Sequence, residues 1–113
     1  MSALTKPYPF DYAPAMFTIR QTPEFGAWLS GIKDGSVKRR LARRLEKAQF
    51  GNLGDVKPVG DGVFEMREFF GPGWRMYYTQ RGPVLILMLG GGEKSTQQTD
   101  IAKAIALASK FED

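Results

Sequence analysis

Apolar positions recur with helical period in three stretches of the chain and with strand period in between, and the changes of period predict its elements. Phe25, Trp28, Leu29 and Ile32 fall at the i, i+3, i+4, i+7 spacing of a buried helical stripe. Ahead of them Thr22-Pro23-Glu24 supplies a hydroxyl for the N-cap, a proline for the first helical position and an acid where the macrodipole favours one. Asp34-Gly35-Ser36 breaks this helix, and Ser36 opens a second one through about Phe50, ended by Gly51 or Gly54, with Val37, Leu41, Leu45 and Ala48 as its narrow apolar seam. Joined by so short a turn, the two helices are expected to lie antiparallel on one face of a sheet. Ser95 with Gln98 has the spacing of a capping box and predicts a last helix with Ile101, Ala104, Ile105 and Ala108 on one stripe. A short strand over Phe17-Thr18-Ile19-Arg20 precedes the first helix.

Between the second and last helices the period drops to two. Val63 to Phe70 and Trp74 to Gln80 are rich in aromatic and β-branched residues, and Gly71-Pro72-Gly73 suits a short hairpin loop. Arg81-Gly82 permits a second reversal before Pro83, and Val84 to Leu89 is apolar without a break, the pattern of a central strand covered on both faces. With a three-residue loop, Phe70 faces Trp74, Met66 faces Tyr78, and Arg67 lies opposite Tyr77 with Arg75 on the diagonal. One face of this meander is apolar. The other gathers Glu65, Arg67, Arg75 and Tyr77, the most informative cluster in the chain.

With 113 residues the chain is expected to form one domain over residues 16–113, preceded by an extended or disordered arm over residues 1–15 that carries Pro7, Pro9 and Pro14. There is no cysteine and no histidine, so disulfides, thiolate chemistry and the commonest metal ligand and neutral-pH base are excluded. No metal and no cofactor are expected. No stretch approaches the roughly 18 consecutive apolar residues of a membrane span, and no secretory pattern opens the chain. The expectation is a soluble, cytoplasmic protein with no membrane partner.

Charge sharpens the picture. Lys33 to Lys47 holds seven basic and two acidic residues, a local +5, which leaves the rest of the chain at −1 of the +4 total. Lys38, Arg39, Arg40, Arg43, Arg44 and Lys47 surround the seam of the second helix with only Glu46 among them, so the compensating i, i+4 acids are missing. A solvated outer face and a polyanion-binding face both fit this surface, and phosphate contact would make binding fall steeply with salt. Lys57, in the loop before the meander, reads as an exposed lysine or as a further phosphate contact. Gly90-Gly91-Gly92 lacks the spacing of a phosphate-binding loop and is expected to turn the chain off the sheet, leaving Lys94 at the sheet edge.

Taken together, the Glu65-Met66-Arg67 strand, the Gly-Pro-Gly-Trp-Arg-x-Tyr-Tyr hairpin from Gly71 to Tyr78, the Leu-Met-Leu-Gly-Gly-Gly-Glu-Lys-Ser run and the Asp-Ile-Ala-Lys helix resemble the HigB-like branch of the RelE/ParE toxin superfamily, the addiction module killer proteins. The resemblance covers about Phe17 to Phe111. It implies an α+β RelE-like fold, two antiparallel N-terminal helices packed on a small, mostly antiparallel sheet in the order β-α-α-β-β-β-α. It further implies the toxin of a type II toxin-antitoxin module, a metal-independent, ribosome-dependent mRNA endonuclease (an mRNA interferase). A cognate antitoxin, a HigA-like helix-turn-helix protein, would hold it inactive. A DNA gyrase poison of the ParE kind on the same fold, or a nucleic-acid-binding module without catalysis, are the alternatives. For attack of a 2′-hydroxyl on the adjacent phosphate, the resemblance makes Arg67 and Arg75 phosphate-gripping donors and Lys94 a neutralising or protonating cation. Tyr77 or Glu65 is then the base, where relatives use histidine. Two other pairings are open: Glu65 and Arg67 satisfying each other along their strand, and Arg75 anchoring a helix carboxylate.

Overall fold

The computed structural model of the protein describes residues 16–111, so the expected arm over residues 1–15 lies outside the described part. Five strands form one sheet: β1 Thr18–Gln21, β2 Val56–Gly60, β3 Val63–Arg67, β4 Trp74–Arg81 and β5 Leu85–Glu93, in the spatial order β1-β5-β4-β3-β2. β1 runs parallel to β5 and the other neighbours pair antiparallel. Three helices complete the mixed α+β fold: α1 Pro23–Ser30, α2 Gly35–Gln49 and α3 Gln97–Ala108. None is long and apolar enough to cross a membrane, among the described residues.

The expected order thus gains a strand. In the expected loop before the meander, where Val56 to Val59 reads as a short extended piece, Val56–Gly60 pairs with β3 at the sheet edge, where Pro58 can lack an N–H without opening the interior of the ladder. Asp61 and Gly62, with φ of 53° and 78°, make the reversal into β3, the left-handed pair that matches strand twist in a tight hairpin. The added strand also moves the middle of the sheet. β5 is interior, between β1 and β4, but β4 occupies the central position.

Both faces of the sheet are covered, as the unbroken apolar run of β5 requires. On one face Ile86 and Met88 join Met66, Met76 and Tyr78 against Phe25 and Ile32, next to α1, and Leu41, Leu45 and Ala48 of α2. On the other, Leu87, Leu89, Val63 and Tyr77 meet Ala104 and Ala108 of α3, with Ile101 and Ile105 partly buried beside them. Thr22 caps α1 as expected, accepting from the Phe25 N–H at 3.1 Å while its own hydroxyl donates to the Met88 carbonyl at 2.9 Å, which fixes the helix to β5. At α2 the cap is Asp34 rather than Ser36: the Asp34 carboxylate accepts from the Ser36 N–H at 2.9 Å. The expected capping box of α3 is absent. A 3-10 turn, Lys94–Thr96, precedes that helix, and the Thr96 hydroxyl bonds the Asp100 carboxylate instead of a backbone N–H. At its other end α3 is held by Arg81, whose Nη2 donates to the Ala108 carbonyl at 2.8 Å.

The triple glycine does not turn the chain off the sheet. It lies within β5, where Gly90, Gly91 and Gly92 pair with Tyr77, Met76 and Arg75, and a bulge leaves Leu89 as the additional residue. Glycine is required for a different reason: a Cβ at Gly91 would overlap the Trp28 ring of α1, and one at Gly92 would overlap the Asp100 carboxylate of α3, whereas a Cβ at Gly90 would meet nothing within 4 Å. Gly91→Ala is therefore expected to lower stability by about 1–3 kcal/mol, the usual cost of forcing an extra methyl into packed surroundings, while Gly90→Ala leaves the urea midpoint unchanged or raises it. Equal losses for the two variants would show that Trp28 does not depend on the bare backbone.

Candidate functional site

The meander brings Arg67 and Arg75 directly opposite each other and sets Glu65 opposite Tyr77, all on one face of the sheet. This register differs by two residues from the one expected with a three-residue loop, which placed Arg67 against Tyr77. Parity survives a shift of two, so the faces are as expected and only the partners change. The shift arises because β3 ends at Arg67: after the Glu68 N–H donates to the Trp74 carbonyl at 2.9 Å, the loop takes up Phe69 to Gly73, closed by a Gly73 N–H to Phe70 carbonyl bond of 3.1 Å.

The face expected to gather Glu65, Arg67, Arg75 and Tyr77 is, for three of these four, an interior. α3 lies over it, and Glu65, Arg75 and Tyr77 are 0%, 4% and 0% exposed. Glu65 Oε2 accepts from Gln97 Nε2 of α3 at 2.6 Å, and Glu65 Oε1 lies 3.8 Å from Arg75 Nε. Arg75 Nη1 donates to the carbonyls of Glu68 and Trp74, both at 3.1 Å. The pairing left open between Glu65 and Arg67 does not hold: Glu65 pairs with Arg75 across the strands instead of with Arg67 along its own, while Glu112, a helix carboxylate open to Arg75, lies outside the described residues. The Tyr77 hydroxyl has no hydrogen-bond partner among the described residues, and its pKa is pushed well above the usual tyrosine value, first by burial and then by the negative charges of Glu65 and Asp100, with Arg75 opposing. A phenol so held keeps its proton. The geometry therefore withdraws Tyr77 and Glu65 from the role of a base that touches substrate, and Arg75 from direct phosphate contact.

Arg67 remains at the surface. Its side chain is 30% exposed and Nη2 donates to Asp55 Oδ1 at 3.0 Å, an exposed pair of the kind that contributes little and exchanges readily. Lys94 is also exposed, and its N–H donates to the Gly73 carbonyl at 2.8 Å. Gly73, with φ of 82°, has no side chain to fill the space in which the Lys94 stem and Arg75 Nη1 converge: a Cβ there would lie 3.2 Å from Lys94 Cβ and 3.6 Å from Arg75 Nη1. Between the arginines stands Phe69, 70% exposed, with its ring centroid 5.4 Å from the Arg67 guanidinium carbon and 5.6 Å from that of Arg75.

The basic helix divides into structural and free cations. Arg44, expected as an RNA contact, is turned inward: Nε and Nη2 donate to the Leu53 carbonyl at 3.2 and 3.0 Å, Nη2 to the Asp55 carbonyl at 2.7 Å, and Nη1 to the Arg67 carbonyl at 2.8 Å and to the Glu68 carboxylate. With its fork occupied by backbone oxygens, it ties α2 to the end of β3. Lys38 Nζ donates to the Ser30 carbonyl at 3.1 Å, at the end of α1. Arg39, Arg40, Arg43 and Lys47 stay exposed along α2, and Lys57 is exposed on β2. The Arg40 guanidinium lies 3.8 Å over the Phe70 ring, so the cationic face of α2 and the hairpin loop meet. Asp55, Phe69 and Gln97 were not among the residues singled out from the sequence. The doubled Phe69-Phe70 before a Gly-Pro-Gly loop is the signal for one of them, since two adjacent side chains in a tight loop cannot both enter the same core.

No family model matches the chain. A protein of Haemophilus influenzae (strain Rd), described as uncharacterized, is 44% identical over 93 residues, which span 82% of this chain and 94% of that protein. The chain belongs to the same family as that Haemophilus protein. The match with this family member spans most of both chains, so its 44% identity places the two on a common fold. Among solved structures, the toxin-antitoxin complex RelBE2 of Mycobacterium tuberculosis is similar with a TM-score of 0.49 and 18% identity, covering 74% of this chain and 95% of that one.

The interior position of Tyr77 has a measurable consequence. The fold favours the protonated phenol, so this contribution to stability is complete below the unfolded pKa of about 10 and is lost only as pH rises through the higher folded value. In a phenolate absorbance titration of the folded protein, Tyr77→Phe is expected to leave the rise between about pH 9 and 11 unchanged. Loss of one phenolate from that window would show that Tyr77 ionises normally and is not held beneath α3.

Proposed function

We propose that this chain is the toxin of a type II toxin-antitoxin module and acts as a metal-independent endoribonuclease on messenger RNA at the ribosome. The reading rests on the motif resemblance across the meander, and one observation of geometry carries it: a partly exposed arginine and an exposed lysine border the same hairpin loop, which the cationic face of α2 adjoins through Arg40 and Phe70. Fixed cations beside a surface that tracks a polyanion are what backbone cleavage of RNA requires.

In this reading the 2′-hydroxyl attacks the adjacent phosphorus and gives its proton to solvent water. The bond to the 5′ oxygen breaks with that oxygen taking a proton from Lys94, which solvent then recharges, and negative charge gathers meanwhile on the non-bridging oxygens. Arg67 exchanges its exposed Asp55 partner for those oxygens, which its planar fork can grip through two nitrogens. Lys94 neutralises the same phosphate from the other side of Gly73. Arg75 and Glu65 are positioning residues: the buried pair and the Arg75 bonds to the Glu68 and Trp74 carbonyls hold the ends of the loop in place. With Tyr77 kept protonated, stabilisation of transition-state charge supplies most of the rate. Arg39, Arg40, Arg43, Lys47 and Lys57 contact ribosomal or messenger RNA through its phosphates. The controlling partner is a cognate antitoxin of the helix-turn-helix kind, covering the free cations with acidic side chains.

Expression of the chain is expected to arrest translation with cut transcripts, and Arg67→Ala to lower cleavage by about 10²–10³-fold, as loss of one transition-state donor does. The thermal midpoint should hold, because the Asp55 pair that the variant removes is exposed. Primer extension on a reporter transcript measures the first and calorimetry the second. Intact transcripts alongside inhibited DNA supercoiling would replace this reading with a gyrase poison, and undiminished cleavage by the variant would remove Arg67 from the chemistry.

A further inference from the structure

Phe69 is the most exposed of the large apolar side chains that stand out from the described surface, ahead of Phe50, Val84, Met16 and Phe111. It is also unlike them in its surroundings. Its neighbour Phe70 turns into the apolar face, where the Arg40 guanidinium closes over it at 3.8 Å. Phe69 does the opposite, keeping 70% of its surface in water with guanidinium carbons 5.4 and 5.6 Å from its centroid. Both guanidinium carbons lie over the ring at the outer range of a cation–π contact, and most of its surface still meets water.

The loop that displays Phe69 is firmly held. The Glu68 carbonyl accepts from Arg75 Nη1 at 3.1 Å, the Glu68 carboxylate takes Arg44, the Phe70 carbonyl accepts from the Gly73 N–H at 3.1 Å, and the Gly73 carbonyl accepts from the Lys94 N–H at 2.8 Å. An apolar ring projected into water from an anchored loop has already met the cost of ordering that a mobile one would meet on binding. Its chemistry selects the ligand. A flat hydrocarbon face takes a flat partner, the Arg67 guanidinium beside it takes negative charge, and an unpaired nucleotide presents both a base and a phosphate.

We propose that Phe69 is a stacking platform for one unpaired base of single-stranded RNA, next to the phosphate that Arg67 and Lys94 hold. This rests on the reading of the chain as an RNA-cutting toxin and adds the residue that seats the substrate next to the scissile bond. Stacking accepts any base, so Phe69 contributes affinity and placement, while preference among bases arises elsewhere.

The test uses the purified full chain, a fluorescein-labelled unstructured oligoribonucleotide, and the wild type beside Phe69→Ala, Phe69→Trp and Arg67→Ala. Phe69→Ala is expected to weaken binding about 5- to 150-fold, the range supplied by one base–aromatic stack, with the salt dependence of binding and the unfolding midpoint unchanged. Arg67→Ala should reduce the salt dependence by about one phosphate contact. Phe69→Trp should keep wild-type affinity, and its new indole fluorescence should be quenched by the RNA, a signature that a merely structural ring would not give. Binding by Phe69→Ala equal to wild type overturns the proposal, as does a Phe69→Trp indole that RNA leaves unquenched, or an oligonucleotide that the wild type does not bind. Phe69-dependent binding by a wild type that cuts no transcript would instead uphold the platform and remove the endonuclease reading. Phe69→Ala that binds RNA normally but fails to capture the purified cognate antitoxin overturns the platform in favour of a protein contact.

Discussion

A carboxylate and a guanidinium buried between a sheet and its covering helix set the terms for the rest of this molecule. Glu65 and Arg75 come from adjacent strands, and neither has access to water. Burying two charges costs several kcal/mol each before their attraction returns most of it, so such a pair is weak evidence for stability. It is stronger as a specification. A one-residue slip of β3 against β4 would send one charge to the apolar face, and removing either partner would strand the other, at roughly 3–5 kcal/mol. The pair thus fixes the register that stands Arg67 against Arg75 and sets the length of the loop between them.

The same bonds explain how one run of cations serves two purposes. Lys38 and Arg44 are spent on carbonyl oxygens at the ends of α1, β3 and the loop before β2, where their charge is answered by backbone dipoles and by Glu68. Arg39, Arg40, Arg43 and Lys47 are left without such obligations and form the free face of α2. Counting basic residues along the helix measures the sum of the two sets; only the fold separates them.

Much of the architecture was legible because it depends on local chemistry. The Thr22 cap, the stripe through Phe25 and Ile32, the seam of α2 and the two-sided covering of Ile86 to Leu89 follow from spacing alone, and so does the division of β3 and β4 into faces. What escaped depends on partners distant in sequence. The loop length, and with it a two-residue difference in pairing, is decided by the Glu68–Trp74 bond and the demands of Arg75. Pro58 disguised β2, since a proline argues against a strand until that strand is known to lie at an edge. The largest difference, the covering of Glu65, Arg75 and Tyr77, came from reading α3 by its apolar stripe. Gln97, one turn before Ile101, is polar and yet meets the sheet, because what it meets there is also polar. Of the residues proposed for the site, Arg67 and Lys94 were visible by type and position, whereas Phe69 needed the end of β3 to be known.

The bulge at Leu89 sets the phase of everything beyond it. Ahead of that residue the alternation of β5 is fixed by two apolar cores; after it, by an indole on one side and a carboxylate on the other. The additional residue lets Gly91 and Gly92 keep their β4 partners while one faces the indole and the other the carboxylate, positions that no side chain could share. The end of the strand is thus held by bare backbone against both covering layers, while its first half is locked between them by side chains.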